Sequence, residues 1–238
     1  MAELLNTAKD SIGFLAVCAL ICAALLLLAK LAEHFLMPGG RRAKGAAYLA
    51  YVAAFGAIGG ILMLIEIPLF FAPGFYKIDL SELPTLLCGF YLGPVGGVLA
   101  ELLKILLKLL IKGTSTMFVG EFANFVVGCF FVLPAAILYH AKKTKKMSVV
   151  AMTVGTLCMT VFGSVFNALY LVPKFAELFH MPLETIIGMG TAVNSMVVSL
   201  PTLILFAVVP FNLIKGIVVS LLSFFLYKRL ERVLFRKR

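Results

Sequence analysis

The sequence predicts an all-α integral membrane protein, and three observations carry that reading. Of its 238 residues 62% are hydrophobic and only 13% charged, whereas soluble globular chains hold about 45–50% apolar and about 25% charged residues. Several apolar stretches reach the ~18 residues that cross a bilayer as a helix. The lysines and arginines gather between those stretches, in Arg41–Lys44, Lys142–Lys146 and Lys228–Arg238. A soluble fold would need many fully buried helices in one small domain, against the usual composition of such domains.

Seven spans follow in order. The first span is Ile12–Leu36; its apolar run Ile12–Ala29 is too long for a typical signal-peptide core, and no A-x-A-like cleavage site follows before Arg41, so it reads as a retained helix. Ala46–Ile67 comes next. Leu80–Leu92 and Val95–Ile111 are shorter and joined by the tight turn "GPVGG", Gly93–Gly97. Interrupted segments of this kind often line a cavity rather than lipid. Phe118–His140, Ser148–Val172 and Phe211–Leu230 complete the set. The apolar stretch Met196–Val209 abuts the last span without a charged loop, and is expected as a re-entrant or outer-surface segment. Residues 1–38 thus form an added N-terminal transmembrane helix ahead of a membrane domain over 46–238.

The basic clusters belong on the cytoplasmic side. The seven spans then place the N-terminus outside and the C-terminus inside. The loops Pro68–Ile78, Gly113–Met117 and Pro173–Val209 face out. The net charge of +10 is accordingly read as topology and contact with anionic lipid in the bilayer, with no nucleic-acid partner. Cys18, Cys22, Cys88, Cys129 and Cys158 lie in apolar segments without CxxC spacing and read as core residues. His34, His140 and His180 are scattered, so no metal site is expected.

Against this background a few polar side chains stand out. Asn212 and Lys215 sit three apart, on one face near the outer end of the last span. Asn167 lies about two turns before Pro173, at similar depth on the preceding antiparallel helix. One reading is a lysine that snorkels to the headgroups beside asparagines that bond neighbouring helices. The other is a polar pocket under a long outer loop, the default for an ionisable residue inside a membrane. Amides offer donors and an acceptor, and lysine offers donors. With Phe, Leu, Val and Met around them, they suit a small amphipathic heterocycle entering from outside.

The stretches "FYKIDLSELPTLLCGFYLGPVGGVLAELLKILLKLL", "VGEFANFVVG", "MTVFGSVFNALYLVP" and "PFNLIKGIVVSLLSFFLYKRL" resemble, in that order, the substrate-binding S component of riboflavin energy-coupling factor (ECF) transporters. The resemblance covers roughly Ala46 to Leu230 and implies a six-helix S-component bundle, to which Ile12–Leu36 is an addition. It implies riboflavin as transported ligand, with no cofactor. It also implies as partners the ECF transmembrane coupling subunit and two ATP-binding cassette ATPase subunits. The family's ring-holding Asn, Asn and Lys fall on Asn167, Asn212 and Lys215. Where the family often has Lys-Asn in the third core helix, this chain has Lys104-Ile105. The outer segment Lys174–Val209 is longer than usual.

The remaining motifs divide between structure and function. In "AAFGAIGG", Ala53/Ala57 and Gly56/Gly60 are four apart, a spacing that lets helices approach closely. The resemblance implies that Ala53 and Ala57 dock on the coupling subunit; internal packing is the alternative. Glu101 is expected to pair with Lys104, and Lys112 to snorkel outward. Asn124 is a cavity-lining candidate, and Glu121 reads as structural at its helix N-terminus. Asp79, Ser81 and Glu82 read as a helix cap and acidic first turn, with the loop before them a possible lid. An enzyme is not expected: HExxH, GxSxG and an obvious carboxylate pair within the spans are all missing. Nor is there a GxxxxGK[ST] loop, so ATP hydrolysis falls to other subunits. The alternatives are an S component for another vitamin and a stand-alone carrier. A carrier would call for internal repeats and a carboxylate cluster for a coupling ion, neither of which is expected here.

Overall fold

The computed structural model describes residues 2–37 and 43–233. In chain order the elements begin with helix α1 (Ala2–Leu36) and α2 (Gly45–Met63), then a two-stranded hairpin, β1 (Ile67–Pro68) and β2 (Lys77–Ile78). Next come α3 (Glu82–Leu92), α4 (Pro94–Lys112), α5 (Val119–Ala141) and α6 (Lys145–Phe166), which runs through a π-helical turn, π1 (Asn167–Leu171), into α7 (Val172–Leu178). After α8 (Leu183–Thr191), α9 (Leu200–Leu203) passes through a second such turn, π2 (Ile204–Val208), into α10 (Val209–Val233). Among the described residues five helices are long and apolar enough to span a membrane: 16–36, 45–63, 119–141, 145–178 and 200–227. At 11 residues α3 is shorter than a span. Helix α4 has the length, but carries Glu101, Lys104, Lys108 and Lys112.

Helix α4 shows how the chain solves its charge problem. Pro94 starts it, where a missing N–H costs nothing. Its charged stripe turns inward, with Lys104 fully buried, while Leu110 on the other side is 82% exposed. Polar-inside, apolar-outside is the arrangement a bilayer demands. Helices α2, α3 and α5 pack against α4 and enclose that stripe. The α2 contact is close: a Cβ on Gly56 would stand 2.8 Å from Leu103, and one on Gly60 3.0 Å from Leu107. The two small-residue pairs therefore separate. Gly56 and Gly60 face the bundle, while Ala53 is exposed and Ala57 half-exposed.

Helix α1 joins the same core. Phe14, Leu25 and Ala29 are buried with Phe122, Val126 and Cys129 of α5, and Phe14 meets Phe122 edge-on at 5.6 Å. At its far end the Glu33 carboxylate accepts the Val95 N–H at 2.8 Å. That bond satisfies a donor in the first turn of α4 that its own helix cannot.

The outer side corrects two expectations. The sixth span does not stop at Val172: one continuous helix runs from Lys145 to Leu178. Met196–Val209 is not a separate re-entrant or surface segment either, because residues from Leu200 onward form the opening turns of the last helix. Proline normally ends a helix, since it lacks an N–H and its ring strikes the carbonyl four residues back. Here Pro173 and Pro210 each follow a π turn that makes room for the ring. The loop between α2 and α3 closes as a hairpin, with Ile67 opposite Ile78 and Pro68 opposite Lys77. Above the bundle, Ala72 from this loop packs with Val172, Ile186, Val197, Leu203 and Ala207 in a small apolar cap.

Candidate functional site

A cavity of about 140 Å³ lies under that cap, and Asn124, Asn167, Asn212 and Lys215 all line it. The two helices carrying three of them meet there, with π1 packed against π2. Asn167 opens π1 and is 8% exposed. Its Nδ2 donates to the Gly163 carbonyl at 2.8 Å, and its Oδ1 accepts the Tyr76 hydroxyl at 2.9 Å. Asn212 is buried, with Nδ2 donating to the Val208 carbonyl at 3.0 Å. Gly163 seats both amides: its carbonyl takes one, and a Cβ there would stand 3.1 Å from Nδ2 of the other.

Lys215 is not a snorkelling lysine. It is 5% exposed, and its Nζ lies 3.2 Å from Asp79 Oδ2 and 2.9 Å from Glu82 Oε2. From Glu82 the charges continue inward. Glu82 Oε1 is 2.8 Å from Lys104 Nζ, which is also 2.8 Å from Glu101 Oε2, and the Thr85 hydroxyl donates to the other Glu101 oxygen. Asn124 reaches Asp79 Oδ2 at 3.5 Å, and its own Oδ1 is buried without a protein partner. A bare charge in such surroundings is prohibitive, so each group holds its neighbours in place.

Two sequence expectations change here. Asp79 does bond the chain just ahead of α3, accepting the Ser81 N–H at 2.8 Å. Yet the Ser81 side chain makes no cap bond, and Asp79 and Glu82 are the counter-charges of Lys215. Asp79, Glu82 and Glu101, from separate turns and helices, also converge where no carboxylate pair stood out in the sequence, but around Lys104 and Lys215 rather than as a site for a coupling ion. The signal for this convergence was an unbalanced one: Lys104 and Lys215 inside apolar helices require acids somewhere, and few acids are available. The pairing of Glu101 with Lys104 is as expected. Glu121 is structural as expected, but through side chains: it pairs with Lys108 and accepts from Thr114 and Thr116.

Aromatic rings wall the outer part of the cavity. Phe75 stacks on Phe175 at 5.6 Å, and Tyr76 lies 5.4 Å from Phe211. Burial pushes the Tyr76 phenol above its ordinary value and keeps it a donor to Asn167. Outside, Glu66 stands between Lys77 of the hairpin at 2.8 Å and Lys112 of α4 at 2.9 Å. Lys112 is thus outward-facing, as expected, but paired. The whole arrangement offers apolar faces for a flat ring and amide, carboxylate and ammonium groups for its polar edge.

Known proteins resemble this chain in sequence and in fold. The profile of the family described as "ECF transporter, substrate-specific component" matches residues 47–227, so α1 lies outside the matched span. The riboflavin transporter FmnP of Bacillus subtilis (strain 168) is 30% identical over 184 residues, 77% of this chain and 91% of that protein. The riboflavin transporter RibU of Staphylococcus aureus (strain TCH60) is 32% identical over 188 residues, 79% and 92% of the two chains. A solved structure described as the S component of a bacterial ECF transporter superposes with a TM-score of 0.62 at 32% identity, covering 80% of this chain and 98% of its own. This chain belongs to the family of ECF transporter substrate-specific components.

Proposed function

We propose that this chain is the riboflavin-binding S component of an ECF uptake transporter, and that Asn167, Asn212, Lys215 and Asn124 hold the vitamin in the cavity beneath the hairpin. The observation that carries the reading is the convergence of those four side chains on one aromatic-walled cavity. Relatives that are named riboflavin transporters support riboflavin over another vitamin. Family membership also weighs against a stand-alone carrier. The cavity opens outward, the basic clusters face the cytoplasm, and α2 to α10 make up the six-helix bundle with α1 as a seventh spanning helix. The protein purified from cells should carry a yellow, flavin-fluorescent molecule. Tighter binding of a different vitamin than of riboflavin would overturn the reading.

Uptake then depends on a transmembrane coupling subunit and two ATP-binding cassette ATPases. Ala53 and Ala57 supply the docking face. Their outward position supports this, since the neighbouring glycines already serve the internal contact with α4. Ala53→Trp should abolish uptake while the purified variant binds riboflavin nearly as wild type does. Equal loss of binding would assign the face to the bundle instead.

A further inference from the structure

The two π turns share one register. Each spans five residues, each is followed by one valine and then a proline: Val172-Pro173 after π1, Val209-Pro210 after π2. The carbonyl four residues before Pro173 belongs to Leu169, and the one before Pro210 to Phe206, each the third residue of its turn. The widened turns close instead with bonds across five residues, from the Val172 N–H to the Asn167 carbonyl and from the Val209 N–H to the Ile204 carbonyl. Such turns make up well under 1% of residues in proteins and gather at functional sites. Two of them in the same register, packed against each other beside a cavity, call for a common cause.

We propose that Pro173 and Pro210 are positioning residues for ligand binding, each enforcing the π turn that aims the asparagine of its helix into the cavity. The proposal rests on the reading of that cavity as the riboflavin site. Neither proline lines it. Their effect is rotational. An α-helix turns about 100° per residue, so nine residues of uninterrupted helix would set Asn212 on the side opposite Leu203. One extra residue in the turn removes about 100°, leaving Asn212 about 80° and Lys215 about 20° from Leu203. Leu203 can then stay fully buried in the outer cap while Asn212 and Lys215 face the cavity. On the other helix the same correction brings Phe175 from about 80° to about 20° from Asn167, and both line the cavity. The amides complete the aim. Both spend Nδ2 on the carbonyl four residues back, so each Oδ1 points away from its own helix.

The test is a double-mutant cycle read by quenching of riboflavin fluorescence. Pro210→Ala should weaken binding about tenfold or more, while the ligand-free thermal midpoint stays level or rises, because alanine suits a helix interior far better. In an Asn212→Ala background, Pro210→Ala should cost clearly less affinity than in the wild type, since only Lys215 of this helix remains to be aimed. Wild-type binding by Pro210→Ala overturns the proposal. So does an equal loss in both backgrounds, or a midpoint that falls together with affinity. Should Pro210→Ala fail to insert, Pro173→Ala against Asn167→Ala runs the same cycle on the other helix. If Asn212→Ala itself binds as wild type does, the cavity reading falls and the proposal with it; a weak Asn212→Ala beside a tight Pro210→Ala overturns the proposal alone.

Discussion

Two glutamates in this molecule each stand between two lysines. Glu82 lies between Lys104 and Lys215, Glu66 between Lys77 and Lys112. The distances are nearly the same, 2.8 and 2.9 Å in both cases. The surroundings are opposite, with Glu82 2% and Lys104 0% exposed, against side chains at 42% and 46% for Lys77 and Lys112. Geometry alone would call these sites equivalent. Burial makes one a structural necessity and the other an adjustable clasp, because water screens the outer pairs and abandons the inner ones.

The comparison breaks most visibly at Lys104. Lys104→Met leaves Glu82 and Glu101 facing each other with one ammonium gone, and breaking a buried pair from one side costs roughly 3–5 kcal/mol. The purified variant should show a sharply lowered thermal midpoint or no folded protein at all. A wild-type midpoint would mean these groups are not charged as described. Next in size is Lys215→Met, where Glu82 keeps Lys104 and Asp79 keeps the Ser81 N–H. Its midpoint should fall less than that of Lys104→Met. Riboflavin affinity should drop by about one to two decades, since unpaired polar groups cost about 1–3 kcal/mol and more when charged. Unchanged affinity would remove Lys215 from the site.

The smallest effect belongs to the outer clasp. Burial raises the Glu66 carboxyl, but hydrogen bonds to Lys112 and Lys77 and their charges outweigh it and hold it below the ordinary value. The clasp is therefore complete above the ordinary pKa of about 4.5 and is lost as pH falls through the depressed one. Glu66→Gln frees the hairpin over the cavity mouth and should speed riboflavin release at most severalfold in low salt. Exposed pairs contribute about 0–1 kcal/mol and are screened by ions, so 1 M salt should erase the difference between variant and wild type. A difference that survives high salt would point to packing rather than charge.

Legibility in the sequence followed the same divide between contrast and context. Asn167, Asn212 and Lys215 stood out because polar atoms in an apolar helix have few uses. Asp79 and Glu82 did not, because acids at a helix start after a loop are what any soluble helix also has. Only folding discloses that their partner is Lys215, 136 residues away from Asp79. The helix through Pro173 was misplaced for a related reason. Proline marks a boundary in most sequences, and no local pattern announces a π turn that absorbs it. The glycine pair of α2 and its alanine pair were equivalent as spacing, and were separated only by which of them α4 occupied.

The bond between Glu33 and the start of α4 also has a consequence for how the protein is made. Chains emerge from the ribosome N-terminus first, and Glu33 precedes Val95 by 62 residues. Helices α2 and α3 and the hairpin are all synthesised in that interval. Helix α1 thus waits for α4 before its Glu33 carboxylate meets the Val95 N–H, so this part of its seat is settled late although its synthesis is earlier.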